Sequence, residues 1–260
     1  MMTNTTAAKR RRAGVLPIAV LGLTPVFCQA APATPASTDM PQTQAVSDTL
    51  SARQQAIVPI AAFAAAGDIS RLSVALNQGL DAGLTVSDAR EVLVQVYAYA
   101  GFPRSLNALG ELMKVLDARR QRGIQDAPGR APSRPIPSGE ALLAAGTANQ
   151  TKLVGQPVQG PLFDFAPAID EYLKTHLFGD IFERDNLEWH SRELATVGML
   201  SALPGAEAQL QSHMRISMNV GLTVSQLDQL VQVLAERVGT DNAARARMAL
   251  KQTLATSPIR

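Results

Sequence analysis

The chain has 260 residues, of which 46% are hydrophobic, 4% aromatic and 18% charged, with a net charge of +2 and a single cysteine. That apolar fraction excludes an intrinsically disordered chain, and the length allows one large core or two smaller ones. One cysteine excludes an internal disulfide, a zinc–cysteine cluster and a CxxC redox pair, and a positive excess gathered in two short segments rather than on a periodic face argues against nucleic acid as a partner.

Lys9-Arg10-Arg11-Arg12 precedes an uncharged stretch from Ala13 to Ala30, AGVLPIAVLGLTPVFCQA. A basic start, a short apolar run and the small-residue exit Cys28-Gln29-Ala30 form a secretory signal over residues 1–30, with cleavage near Ala30 and export to the periplasm as the expected outcome. The run contains two prolines and falls short of the ~20 apolar residues of a spanning helix, so no stable membrane span is expected after cleavage. Two alternatives stay open. Cys28 could carry a lipid, although bulky Phe27 fits that poorly, and the paired arginines could direct twin-arginine export, although the residues after them depart from that pattern. Residues 31–46, rich in Ala, Pro, Thr and Gln, read as a solvated linker.

Order is expected from about residue 47. Gly83-Leu84-Thr85-Val86-Ser87 recurs as Gly221-Leu222-Thr223-Val224-Ser225, and the flanks follow. Leu50 to Arg53 parallels Trp189 to Arg192, while Leu72 and Leu76 parallel Leu210 and Met214. In each copy a helix rich in small apolar residues ends at a glycine, which adopts the left-handed conformation without strain. The next helix starts at once, with Thr85 and Thr223 as N-caps and Asp88 and Gln226 placed to complete capping boxes. Beyond Thr223, Leu227, Leu230, Val231 and Leu234 fall at i, i+3, i+4 and i+7, an amphipathic stripe. Alternating strand patterns are scarce. The expected fold is all-α, with helical units at 47–116 and 166–255 packed as a pseudo-symmetric pair. Between them, a connector at 117–165 holds Arg119-Arg120-Gln121-Arg122 and the run PGRAPSRPIPSG. Its proline density predicts extended surface chain, with the basic cluster as a solvated face.

Arg192-Glu193-Leu194-Ala195-Thr196, then Ser212-His213-Met214-Arg215, then Asn219 to Thr223 resemble the carboxymuconolactone decarboxylase family, whose all-helical fold is shared with alkylhydroperoxidase D type proteins. His176 to Phe182 resembles the lead-in helix of its decarboxylase-type members, and Gly83-Leu84-Thr85 with Tyr97 to Ala108 carries the resemblance into the first copy. It implies two tandem units, a homo-oligomer, and cofactor-free loss of carbon dioxide from a small carboxylated lactone. Peroxidase-type members carry a CxxC pair followed by a His, with a Glu on the preceding helix. Here Ala206 and Gln209 stand at the cysteine positions, while Glu193 and His213 remain. Without thiolates there is no sulfur nucleophile, which argues against peroxidase activity. In the first copy Gln54 and Ala75 occupy the Glu and His positions, so that unit reads as structural.

Glu193 and His213 flank a turn around Pro204-Gly205, and an antiparallel helix pair can bring them together as an acid/base pair. Within the family resemblance, His213 delivers the proton, Glu193 or Glu207 orients its imidazole, and Arg192 or Arg215 holds the retained carboxylate. No cofactor is expected, and three histidines without HxH or HxxxH spacing predict no metal site. His176 and His190 read as packing or capping residues, and the methionines at 199, 214, 218 and 248 as core. The alternative is an exported, non-catalytic member of the family that binds a small molecule or a partner. An export signal favours that alternative, because aromatic ring-cleavage pathways run in the cytoplasm.

Overall fold

Ser51 opens the first helix by accepting from the Gln54 backbone N–H, and the Gln54 side chain reaches back to the Ser51 backbone, a complete capping box. A computed structural model describes residues 48–256, so the leader and linker read from the sequence lie outside the described residues. Helix α1, Ala52–Ala66, is buried continuously from Ala56 to Ala65 and ends at Gly67 with a φ of 72°. It is followed by α2, Ile69–Asp81, then α3, Val86–Gln95, then α4, Tyr97–Gln121, which kinks at Gly101. The second copy repeats the order as α8, Trp189–Ser201; α9, Glu207–Asn219; α10, Val224–Arg237; and α11, Thr240–Thr256. Both expected capping boxes form, Thr85 with Asp88 and Thr223 with Gln226. The described residues contain no strand.

The two copies share one core. Helix α8 is buried at every residue from Ser191 to Ser201, and it lies along α1. A helix buried on all sides requires neighbours on all sides, and these two central helices supply each other's inner face. Gly198 sets how closely they approach, since a Cβ there would stand 2.8 Å from the Val58 carbonyl oxygen. Around this axis, α2 packs on α1 as α9 packs on α8, and α4 packs on α3 as α11 packs on α10. Met199 and Met214 are fully buried in the core and Met218 packs at its edge, whereas Met248 is exposed, contrary to its reading as core.

The connector departs from the extended chain expected of it. Helix α4 runs on to Gln121, and a further helix, α5, spans Glu140–Val154. The connector lacks helix at 124–138, where the prolines cluster, and again at 155–160. Arg119 is likewise no solvated residue. It is buried and pairs with Asp126 at 2.8 Å and Asp81 at 2.9 Å, fastening the extended segment to the end of α4. The carbonyls of Ala127 and Pro128 accept from Val86 and Ser87, so this segment also satisfies free N–H groups at the start of α3.

After two short helices, α6 (Pro161–Phe165) and α7 (Pro167–Tyr172), the chain forms a π-helix, Leu173–Ile181. Helix α5 packs directly on it. At Gly146 a Cβ would fall 1.7 Å from the Lys174 carbonyl oxygen, so only glycine permits this contact. Leu153, Leu177, Phe178, Ile181, Phe182 and Ile216 form a second, smaller apolar cluster that joins these elements to α9. No helix among the described residues is long and apolar enough to cross a membrane.

Candidate functional site

Helix α8 descends into the core and α9 returns from it across the turn at Pro204-Gly205, which places two residues 20 apart in sequence face to face. His213 Nδ1 lies 2.7 Å from Glu193 Oε2, with Glu193 fully buried and His213 8% exposed. A carboxylate at Nδ1 fixes the imidazole's orientation and tautomer, and leaves Nε2 as the nitrogen available for proton transfer. The other carboxylate oxygen, Oε1 of Glu193, is buried with no hydrogen-bond partner among the described residues. Such an orphan costs about 1–3 kcal/mol, a cost that folds tolerate at functional sites.

His213 lines a cleft of about 820 Å³. One wall is α9 itself, with Gln209, Ser212 and Arg215; the opposite wall is built by Gln150 of α5 with Leu177 and Phe178 of the π-helix. The cysteine positions of peroxidase-type proteins, Ala206 and Gln209, both line this cleft, so the missing sulfurs would have faced it. Tyr99 of α4 completes the lining, its ring edge-on to the His213 imidazole with centroids 5.7 Å apart. Its hydroxyl lies 3.3 Å from Thr196 Oγ1, which accepts from Gln95 Nε2 at 2.8 Å. Burial and the nearby charge of Glu193 push the Tyr99 ionisation well above the ordinary phenol range, so it carries its proton throughout the working pH range.

The other predicted residues divide. Arg215 is exposed on the cleft wall and donates to Thr256 Oγ1 at 2.9 Å. Arg192 is fully buried and faces away from the cleft, donating to Glu91 Oε2 at 3.1 Å and to the Arg184 carbonyl at 2.9 Å. It is therefore a structural cation, and its expected role as a carboxylate anchor is corrected. Glu91 is held by Arg184 as well, at 2.6 and 2.8 Å. Burial pushes the Glu91 carboxyl up, but hydrogen bonds from Arg184 and Asn186 and the charge of Arg192 outweigh it and bring it down to about 2.

Glu207 also leaves the site. Its carboxylate accepts from the Gly205 N–H at 3.1 Å at the exposed start of α9, and backbone hydrogen bonds lower its ionisation. Of the two carboxylates weighed for the imidazole, the geometry selects Glu193. His190 pairs with Glu188 at 3.0 Å and His176 with Asp180 at 3.3 Å, local partners of the capping and packing kind. Among the described residues no group of three His, Cys, Asp or Glu is placed to hold a metal ion.

Sequence reasoning missed Tyr99, Thr196, Gln95 and the whole α5 wall. Tyr97 to Ala108 was recognised only as a closing helix of a copy read as structural, and nothing local to Tyr99 points across to the second copy. For α5, the proline-free run Glu140 to Val154, rich in Ala and Leu, was the available signal.

An all-helical tandem pair with a histidine–carboxylate couple in an interhelical cleft defines the class. The chain matches the model of the carboxymuconolactone decarboxylase family over residues 35–113 and 167–252, once in each copy and over more than half its length, and it belongs to that family. It is 33% identical over 70 residues to a 4-carboxymuconolactone decarboxylase of Acinetobacter baylyi, an alignment that takes in 27% of this chain. The chain spans about half (52%) of the length of that curated relative.

Proposed function

We propose that the protein is a cofactor-free lyase that removes carbon dioxide from a small carboxylated lactone, 4-carboxymuconolactone or a near relative, by acid/base chemistry at His213. The observation that carries this reading is the buried Glu193–His213 hydrogen bond at the wall of the cleft. When the bond to the departing carboxylate breaks, its electron pair passes into the conjugated lactone carbonyl as an enolate. The imidazolium of His213, stabilised by Glu193, then protonates carbon, and solvent restores the lost proton. Arg215, the arginine of the cleft wall, holds the carboxylate that is retained. Alanine and glutamine at the two sulfur positions argue against a peroxidase.

The burial of Arg192 against Glu91 favours a second reading, an exported relative whose cleft binds a small acid without turning it over. Direct assay separates the two. The mature protein should decarboxylate 4-carboxymuconolactone, and His213→Ala should lower kcat roughly 10²–10⁴-fold, the usual contribution of a general acid. Equal rates in both proteins would remove His213 from the mechanism, and binding without turnover would favour the second reading.

Export and self-association belong to the same proposal. The segment from Lys9 to Ala30 predicts a periplasmic protein whose first residue is Ala31, which mass spectrometry of the periplasmic fraction reads directly. Phe102, Leu106 and Phe165 are each more than 60% exposed and support assembly of further copies on apolar surface. A monomeric mass by light scattering would contradict this.

A further inference from the structure

The first copy has lost its own carboxylate and imidazole, yet it reaches into the site of the second. Tyr99 enters from α4 and Gln95 from α3, and the two meet Thr196 of α8. An amide nitrogen can only donate, so Thr196 Oγ1 acts as acceptor toward Gln95. The Thr196 proton lies between the Tyr99 oxygen at 3.3 Å and the Arg192 carbonyl at 3.0 Å. Among the described residues the hydrogen bond at the Tyr99 hydroxyl runs from Thr196 Oγ1, so the phenol oxygen accepts there and its own proton is left for the cleft that Tyr99 lines.

The equivalent positions elsewhere in the repeat show that this arrangement exists once. Gln95 and Tyr99 correspond to Val233 and Arg237 in the second copy, while Glu193, Thr196 and His213 correspond to Gln54, Ile57 and Ala75 in the first. Gln54 serves the cap of α1, and Ala75 fills the core. The pseudo-symmetric counterpart of the site therefore lacks its donors on one side and its acid/base pair on the other.

Building on the acid/base reading above, we propose that Tyr99 is a catalytic residue, contributed by the first copy to a single composite site, whose O–H donates a hydrogen bond to the oxyanion that develops on the substrate carbonyl. As the carbon–carboxylate bond breaks, the electron pair comes to rest on that oxygen. Tyr99 stabilises it without transferring its proton, and the proton that ends on carbon comes from His213. A neutral phenol is suited to this because it donates without needing a counter-charge, and its ring, set edge-on to the imidazole, keeps donor and acid on one side of the cleft.

The test is Tyr99→Phe, which keeps the ring against His213 and removes only the hydroxyl. With 4-carboxymuconolactone, kcat should fall about 10²–10³-fold, the usual cost of one oxyanion donor, while KM changes by less than about threefold. Thr196→Val, which leaves the phenol but removes its partner, should give a smaller loss in kcat. A second probe works without turnover: 4-nitrophenol, whose visible absorbance reports a delocalised oxyanion. The wild type should bind its anion, and Tyr99→Phe should weaken that binding at least tenfold. Unchanged kcat, equal probe affinity in both proteins, or no binding by the wild type would each overturn the proposal. A wild type that binds the probe through Tyr99 but does not decarboxylate the lactone would instead refute the substrate assignment and keep the donor.

Discussion

Glu91 has no exposed surface and carries two guanidinium groups, Arg184 and Arg192, the second as buried as itself. Removing one partner of such a group strands a charge in the core, which costs about 3–5 kcal/mol. Glu91→Gln should therefore lower the urea midpoint by that much stability while leaving the cleft residues in place. The same carboxylate sets an acid limit. Its folded ionisation, near 2, lies below the ordinary 4.5, so its contribution is complete above about pH 4.5 and is lost as the pH falls toward 2. Circular dichroism should show stability declining across that window, and Glu91→Gln should flatten the decline. The residue scale also shows what local pattern can reveal. Glu193 and His213 were legible through the family motif, and the single helical hairpin between them lets them meet, whereas Arg192 was misread because its partner lies 101 residues away. Glu207 was misread in the opposite sense: its hydrogen bond is to a backbone N–H two residues back, which no catalytic pattern announces.

Repeated caps, the glycine stops at Gly83 and Gly221 and the amphipathic stripe after Thr223 made the helix pair of each copy readable, since each signal is local. The connector was read from its prolines alone, and α5 was lost with them. The π-helix was legible as a helix through the resemblance of His176 to Phe182, but its π register carries no local pattern. Gly146 connects these two elements, and replacing it is informative. Gly146→Ala should drive α5 away from the Lys174 carbonyl and loosen the cleft wall formed by Gln150, Leu177 and Phe178. Overpacking of this kind costs about 1–3 kcal/mol. We expect hydrogen exchange to quicken in α5 and the π-helix, with the amides of α1 and α8 unchanged, and ligand affinity to fall. Uniformly faster exchange in all helices would show that the wall is part of the main folding unit.

At the scale of the whole molecule, α1 and α8 form a shared axis that neither copy can complete alone. A fragment of residues 166–256 carries Glu193 and His213 but exposes the inner face of α8, which is buried throughout in the intact chain. Expressed by itself, it should aggregate or remain unfolded by near-ultraviolet circular dichroism. Addition of residues 46–165, which carry α1 to α4 and the α5 wall, should restore both structure and probe binding if the halves assemble as they do here. A well-folded, probe-binding 166–256 fragment would contradict the sharing of the site.

The pairing of two unequal copies in one chain has a consequence for how such a site can change. In a symmetric dimer of identical subunits each substitution appears twice, so a change that relieves one site of an unneeded group removes it from the other as well. Covalent fusion lifts that restriction. Here Gln54 and Ala75 serve cap and core while Glu193 and His213 keep their couple, and Val233 packs where Gln95 donates. Each helix position is thus specified once, and a single cleft can be tuned by substitutions in either half without echo in the other.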